Sequence, residues 1–171
     1  MGQIILVTGG VRSGKSAFAE RYAAHCAAQS GTRVAYIATA QVYDAEMRQR
    51  VDLHQTRRPA DWTTYEAPFD TEDAMRAAGV SHGVLLFDCI TMFLSNDMLQ
   101  YPEEEQERDS FALHVEERIG ALIRAAQDVP ATTIFVTNEV GAGIVPEHRL
   151  GRLYRDMAGL ANQQIARSAA E

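Results

Sequence analysis

Between Gly9 and Ser16 the chain reads Gly-Gly-Val-Arg-Ser-Gly-Lys-Ser. This is the G-x-x-x-x-G-K-[ST] pattern, and its residue types are those a phosphate cradle requires. Gly9 and Gly14 let the backbone curl around Gly10, Val11, Arg12 and Ser13 so that successive N–H groups point at phosphate oxygens. A helix starting near Gly14 adds the positive end of its dipole. Lys15 is placed to reach the β- and γ-phosphates, and the Ser16 hydroxyl is a ligand for Mg²⁺. The apolar run Ile4-Ile5-Leu6-Val7 precedes the loop and Ala17-Phe18-Ala19-Glu20-Arg21-Tyr22 follows it. That is the strand–loop–helix setting of a nucleoside triphosphate site.

A second element lies at Val84-Leu85-Leu86-Phe87-Asp88. In nucleotide-binding sheets a carboxylate at the end of such an apolar strand holds Mg²⁺ directly or through water. The alternative for Asp88 is a cap on the helix that follows.

The elements that must position these groups alternate between strand and helix, which predicts a parallel sheet covered by helices. Gln3–Thr8 reads as a strand and Gly14–Gln29 as its helix, ended by the turn at Ser30-Gly31. Arg33–Ala38 reads as a second strand, Tyr43–Arg58 as a helix and Trp62–Glu66 as a short strand. Thr71–Ala78 is a short helix ended by Gly79. Gly83–Asp88 is a continuous apolar run, as expected of a central parallel strand. Thr91–Leu99 fits a helix. Phe111, Val115, Ile119, Leu122, Ile123 and Ala126 recur at helical spacing. Thr132–Thr137 reads as another buried strand, and Leu150, Leu153, Tyr154, Met157, Leu160 and Ile165 as a final amphipathic helix. The charge run Pro102-Glu103-Glu104-Glu105-Gln106-Glu107 fits a solvated loop or the acidic first turn of the next helix.

The 171 residues predict a single domain over residues 1–171, with 46% hydrophobic residues and a net charge of −7. An acidic chain argues against nucleic acid as a partner. No apolar run approaches the roughly 18 residues a membrane span needs, and the N-terminus enters a strand with no leader before it. Cys26 and Cys89 have no metal-type spacing and read as free thiols in a reducing cytoplasm.

Further segments are Ile37-Ala38-Thr39-Ala40, Glu46-Met47 with Arg50-Val51 and His54, Asp88-Cys89-Ile90-Thr91, Thr137-Asn138-Glu139-Val140-Gly141 running to Pro146-Glu147, Arg155-Asp156-Met157-Ala158-Gly159, and Asn162-Gln163. With the Gly9–Ser16 loop they closely resemble the bifunctional adenosylcobinamide kinase / adenosylcobinamide-phosphate guanylyltransferase family of cobalamin biosynthesis. The resemblance runs from residue 3 to about residue 168. It implies a P-loop α/β fold with a mostly parallel, RecA-like sheet, and a homotrimer. It implies two activities: phosphorylation of adenosylcobinamide with ATP or GTP, then transfer of GMP from GTP to the product, giving adenosylcobinamide-GDP and pyrophosphate.

The family's guanylyl transfer passes through a GMP–histidine intermediate. Among His25, His54, His82, His114 and His148, only His54 falls in a matching segment. In many relatives the position before it is a second histidine; here it is Leu53. Met47, Val51 and His54 also share one helical face, the pattern of a packed histidine. The resemblance maps nucleotide contacts to Thr39, Ala40 and Gln41, to Gln55, Thr56, Arg57 and Arg58, and to Glu66 and Asp88. A carboxylate such as Glu66 can accept from guanine N1–H and the 2-amino group, a pairing adenine lacks. Arg57 and Arg58 equally fit plain surface charges. Asn138 and Glu139 fit either a substrate or metal role or the shaping of the Gly141–Pro146 loop. Relatives usually continue past the last helix with an apolar strand, whereas this sequence stops at Glu171; either the sequence is cut short or the sheet lacks that strand, and the sheet edge and trimer contacts depend on which. The rivals are a P-loop kinase acting on another small molecule and a nucleotide switch. The Asn-Lys-x-Asp guanine motif of a switch is absent.

Overall fold

A computed structural model describes the chain except residues 1, 43–44 and 103–108 and the side chains of Glu46, Met47, Arg50, Leu53, His54, Arg57 and Asp109. The acidic run at Glu103–Glu107 therefore lies outside the described residues. Five strands, β1 (Ile4–Gly9), β2 (Val34–Ala38), β3 (Thr63–Glu66), β4 (Val84–Asp88) and β5 (Thr132–Asn138), form one sheet in the order β1-β5-β4-β2-β3. Every pairing is parallel. Helices α1 (Lys15–Ser30), α2 (Ala45–Arg57), α3 (Thr71–Gly79), α4 (Ile90–Met98), α5 (Asp109–Asp128) and α6 (Arg149–Ser168) fill the connections. This is the expected α/β architecture. The P-loop strand β1 and the Asp88 strand β4 are separated by β5, inserted between them.

Alternation along each strand sorts the core into two layers. Ile5, Val7, Val34, Tyr36, Ala38, Val84, Leu86, Ile134 and Val136 face α1, whose Ala19, Ala23 and Ala27 lie against them. Alanines on that stripe let α1 approach the sheet closely. Ile4, Ala35, Ile37, Leu85, Phe87 and Phe135 face the other way, onto α3, α5 and α6. There Phe87 meets Phe135 and Phe93 edge-on, with ring centroids 5.1 and 6.2 Å apart, the arrangement aromatic quadrupoles favour. α1 ends as anticipated, with Gly31 at φ 65° and its N–H on the Ala27 carbonyl.

Because the strands are parallel, Gly9, Ala38, Glu66, Asp88 and Asn138 all end at one edge of the sheet. Ligands of open α/β sheets bind beyond that carboxyl edge. The weakest strand expectation, Trp62–Glu66, is realised as the four-residue edge strand β3. At the opposite edge, where relatives are expected to carry a further strand, the last residues lie along β1: Ala170 N–H donates to the Ile4 carbonyl and Leu6 N–H to the Glu171 carbonyl.

Candidate active site

The loop after β1 has the shape its sequence demands. Gly14 sits at the N-cap of α1 with φ 86°, a left-handed conformation natural to glycine. Arg12 also has positive φ, at 56°. Ser13 N–H closes a turn on the Gly10 carbonyl at 3.3 Å. No side chain caps the start of α1, so its first N–H groups are available to an anion. Lys15 Nζ donates to the Gly10 carbonyl at 3.0 Å, folding the ammonium back over the loop.

Asp88 ends β4 in phase with Val84 and Leu86, so its side chain shares the face covered by α1. Its neighbourhood is tightly braced. Tyr36, 2% exposed in the adjacent strand, donates its hydroxyl to Asp88 Oδ2 at 2.7 Å. Thr39 clasps the next residue: its Oγ1 accepts from Cys89 N–H at 2.8 Å and donates to the Cys89 carbonyl at 2.9 Å. The Asp88–Cys89 peptide is cis. Burial, helped by the Asp88 charge, pushes the Cys89 thiol up to about 11, while Thr91, the Met92 backbone and the Lys15 charge pull the other way.

Mg²⁺ in P-loop sites takes most of its ligands from phosphate oxygens and water. The Ser16 hydroxyl in the first turn of α1 and the Asp88 carboxylate at the end of β4 are the oxygen donors that would suit such an ion.

The other anticipated contacts divide. Thr39 is fully buried and its hydroxyl is committed to Cys89. Ala40 and Gln41 follow at the carboxyl edge of β2, half-buried. Gln55 Nε2 reaches Glu66 Oε1 at 3.4 Å, bringing together α2 and the end of β3. Thr56 Oγ1 bonds the Asp52 carbonyl. Arg58 is not a plain surface charge. Its guanidinium carbon lies 3.5 Å over the Tyr36 ring centroid and Nη1 donates to Thr64 Oγ1 at 3.2 Å. The backbone of His54 is in α2, four residues before Arg58. The side chains of His54 and Arg57 lie outside the described residues.

The family model described as "Cobinamide kinase / cobinamide phosphate guanyltransferase" matches residues 5–171. The chain belongs to that family. It is 41% identical to the bifunctional adenosylcobalamin biosynthesis protein CobU of Escherichia coli K12, covering 98% of this chain and 92% of that one. It is 42% identical to the protein CobP of the same description from Pseudomonas aeruginosa PAO1, covering 94% and 86%. Among solved structures, a KaiC-like protein from Pyrococcus horikoshii OT3 matches with TM-score 0.50 and 17% identity over 92% of this chain and 68% of that one. That likeness concerns the P-loop, RecA-like fold alone.

Within this member of the cobinamide kinase family, Tyr36 and Asn96 escape sequence reasoning, whereas Asn138 and Glu139 are singled out by it. Tyr36 looks like one more core residue of an apolar strand, and only the β2–β4 pairing shows its reach to Asp88. Asn96, buried in α4, donates Nδ2 to the Thr39 carbonyl at 2.7 Å and the Pro68 carbonyl at 3.1 Å, tying the ends of β2 and β3. Asn138 Nδ2 donates to Thr91 Oγ1 at 2.8 Å, whose carbonyl accepts from Tyr154 at 2.7 Å. Glu139 N–H meets the Gly9 carbonyl at 3.0 Å and its carboxylate accepts from Gly141 N–H, a loop-shaping role beside the P-loop.

The other histidines are placed otherwise. His25 and His148 are exposed. His82 is buried between the Ala78 carbonyl and Thr63 Oγ1. His114 pairs with Asp97 at 2.8 Å, beside Arg118, which bridges Asp97 and Glu72. These groups line a cavity of about 550 Å³ among α3, α4 and α5. His114, Asp97, Arg118 and Glu72 in its lining are already paired with one another. Among the described residues no helix is long and apolar enough to cross a membrane.

Proposed function

We propose that this chain performs two nucleotide reactions on one corrinoid. In the first, the γ-phosphoryl group of ATP or GTP passes to the aminopropanol hydroxyl of adenosylcobinamide, releasing the nucleoside diphosphate. In the second, a neutral His54 imidazole nitrogen attacks the α-phosphorus of GTP and pyrophosphate leaves. A phosphate oxygen of adenosylcobinamide phosphate then attacks the same phosphorus and displaces His54, giving adenosylcobinamide-GDP. The observation that carries this reading is that the open Gly9–Ser16 loop, with Lys15, and Asp88 follow or end strands at the same edge of one parallel sheet, in a chain of the cobinamide kinase family.

The protein's part in phosphoryl transfer is positioning and charge neutralisation. The N–H groups of Gly10 to Ser16 hold the phosphates, and Lys15 leaves the Gly10 carbonyl for their oxygens. Ser16 and Asp88 would hold Mg²⁺, which would supply charge neutralisation on the phosphates. Imidazole suits the second reaction because its ordinary pKa near 6.5 leaves it neutral at pH 7. Glu66, oriented by Gln55, selects guanine, and Arg57 and Arg58 supply positive charge at the end of the His54 helix. Both substrates place the work in the cytoplasm. The test is to follow γ-label from ATP or GTP onto adenosylcobinamide, and α-label from GTP onto adenosylcobinamide phosphate. Both products should appear with Mg²⁺; a chain that forms neither contradicts the proposal.

We further propose a homotrimer. Val11 and Phe18 at the P-loop, and Ile144 and Val145 in the loop after the neighbouring strand, are 77%, 49%, 96% and 61% exposed. Exposed apolar side chains of this kind support the assembly that the family resemblance implies. Light scattering should give three times the 18.9 kDa chain mass; a monodisperse monomer contradicts the assembly.

A further inference from the structure

Asp88 is held by a second side chain that no motif predicts. Tyr36 lies two residues before the end of β2, on the face that carries Asp88, and β2 pairs directly with β4. Its hydroxyl meets Asp88 Oδ2 at 2.7 Å, the length of a hydrogen bond to an ionised acceptor. A carboxylate turns easily about its last torsion. Fixing one oxygen sets the plane of the group and therefore the direction of the other oxygen. A phenol carries its proton near pH 7, so Tyr36 is the donor and Asp88 the acceptor of this bond.

The phenol is fixed in turn. The Arg58 guanidinium lies flat on its ring, 3.5 Å from the centroid, with Nη1 anchored on Thr64 in β3. Arg58 Nε is buried and has no hydrogen-bond partner among the described residues. A guanidinium that forgoes a bond there is held by stacking, and its charge over the ring strengthens the O–H as a donor. Arg58 is also the first residue after α2, the helix that carries His54.

We propose that Tyr36 is a positioning residue for the nucleotide site: it orients the Asp88 carboxylate toward the metal–triphosphate, and Arg58 locks it while tying the end of the His54 helix to that carboxylate. This rests on the reading of Asp88 as a metal–nucleotide ligand. Supporting groups behind a ligating carboxylate govern metal affinity about tenfold or more. Tyr36→Phe keeps the ring and the Arg58 stack and removes only the donated hydrogen bond.

The test is Mn²⁺ binding, read by electron paramagnetic resonance, to the enzyme with the α,β-methylene analogue of GTP. Tyr36→Phe is expected to weaken Mn²⁺ about tenfold and to add nothing in an Asp88→Asn background. Arg58→Lys, which keeps the charge but cannot stack flat, should shift affinity in the same direction. Unchanged affinity in Tyr36→Phe overturns the proposal, as does an equal loss in the Asp88→Asn background. If Asp88→Asn itself leaves Mn²⁺ affinity unchanged, the reading of Asp88 fails first and takes the proposal with it.

Discussion

Replacing Lys15 by alanine is expected to slow both half-reactions by about 100-fold or more, the scale of losing one charge aimed at a transition-state oxygen. One cradle serves both nucleotides, so both rates should fall together. In kinase turnover the lysine faces charge developing around the γ-phosphoryl group. In guanylyl transfer it faces charge developing on the departing pyrophosphate. In the free protein Lys15 bonds its own loop, at the Gly10 carbonyl. Its removal leaves an exposed carbonyl to water, so folding should be almost unaffected, which thermal unfolding would check. Rates near those of the unsubstituted enzyme in either half-reaction, at saturating Mg²⁺, would show that the loop does not serve that reaction.

His54→Ala should separate the two activities. Guanylyl transfer should drop below roughly one ten-thousandth of its starting rate, because a missing nucleophile leaves no comparable route to the α-phosphorus. Kinase turnover should survive at least in part, since the γ-phosphoryl group goes directly to the corrinoid hydroxyl. His54→Asn should match the alanine variant, as an amide hydrogen-bonds but does not form the phosphoramidate. Equal losses in both half-reactions would instead make His54 a packing residue on its helix.

The P-loop was legible because its information is local. Gly9, Gly14, Lys15 and Ser16 fall within eight residues of one another in sequence, and their backbone needs depend on no distant residue. The buried strands were legible for a similar reason: a parallel strand covered on both faces must be apolar throughout, as β2 and β4 are. What stayed hidden depends on which strands become neighbours. Tyr36 and Asp88 are 52 residues apart, and nothing in either segment announces their hydrogen bond. Thr39 was found as the residue after β2, but its grip on Cys89 requires β4 alongside. Arg58 read as well as a surface charge as a site residue, because stacking on Tyr36 leaves no trace in spacing. His114 looked like one position on an amphipathic helix, and only the packing of α5 near α4 shows it paired with Asp97.

The central claim is a covalent histidine route to guanylyl transfer, and trapping the intermediate tests it most directly. The enzyme is incubated with α-labelled GTP and Mg²⁺ without corrinoid, then denatured. The unsubstituted chain should retain label that is lost in mild acid and kept in alkali, as a phosphoramidate is, and the His54→Ala variant should retain none. Label that still attaches to the alanine variant, or an unsubstituted enzyme that never becomes labelled, would contradict the account.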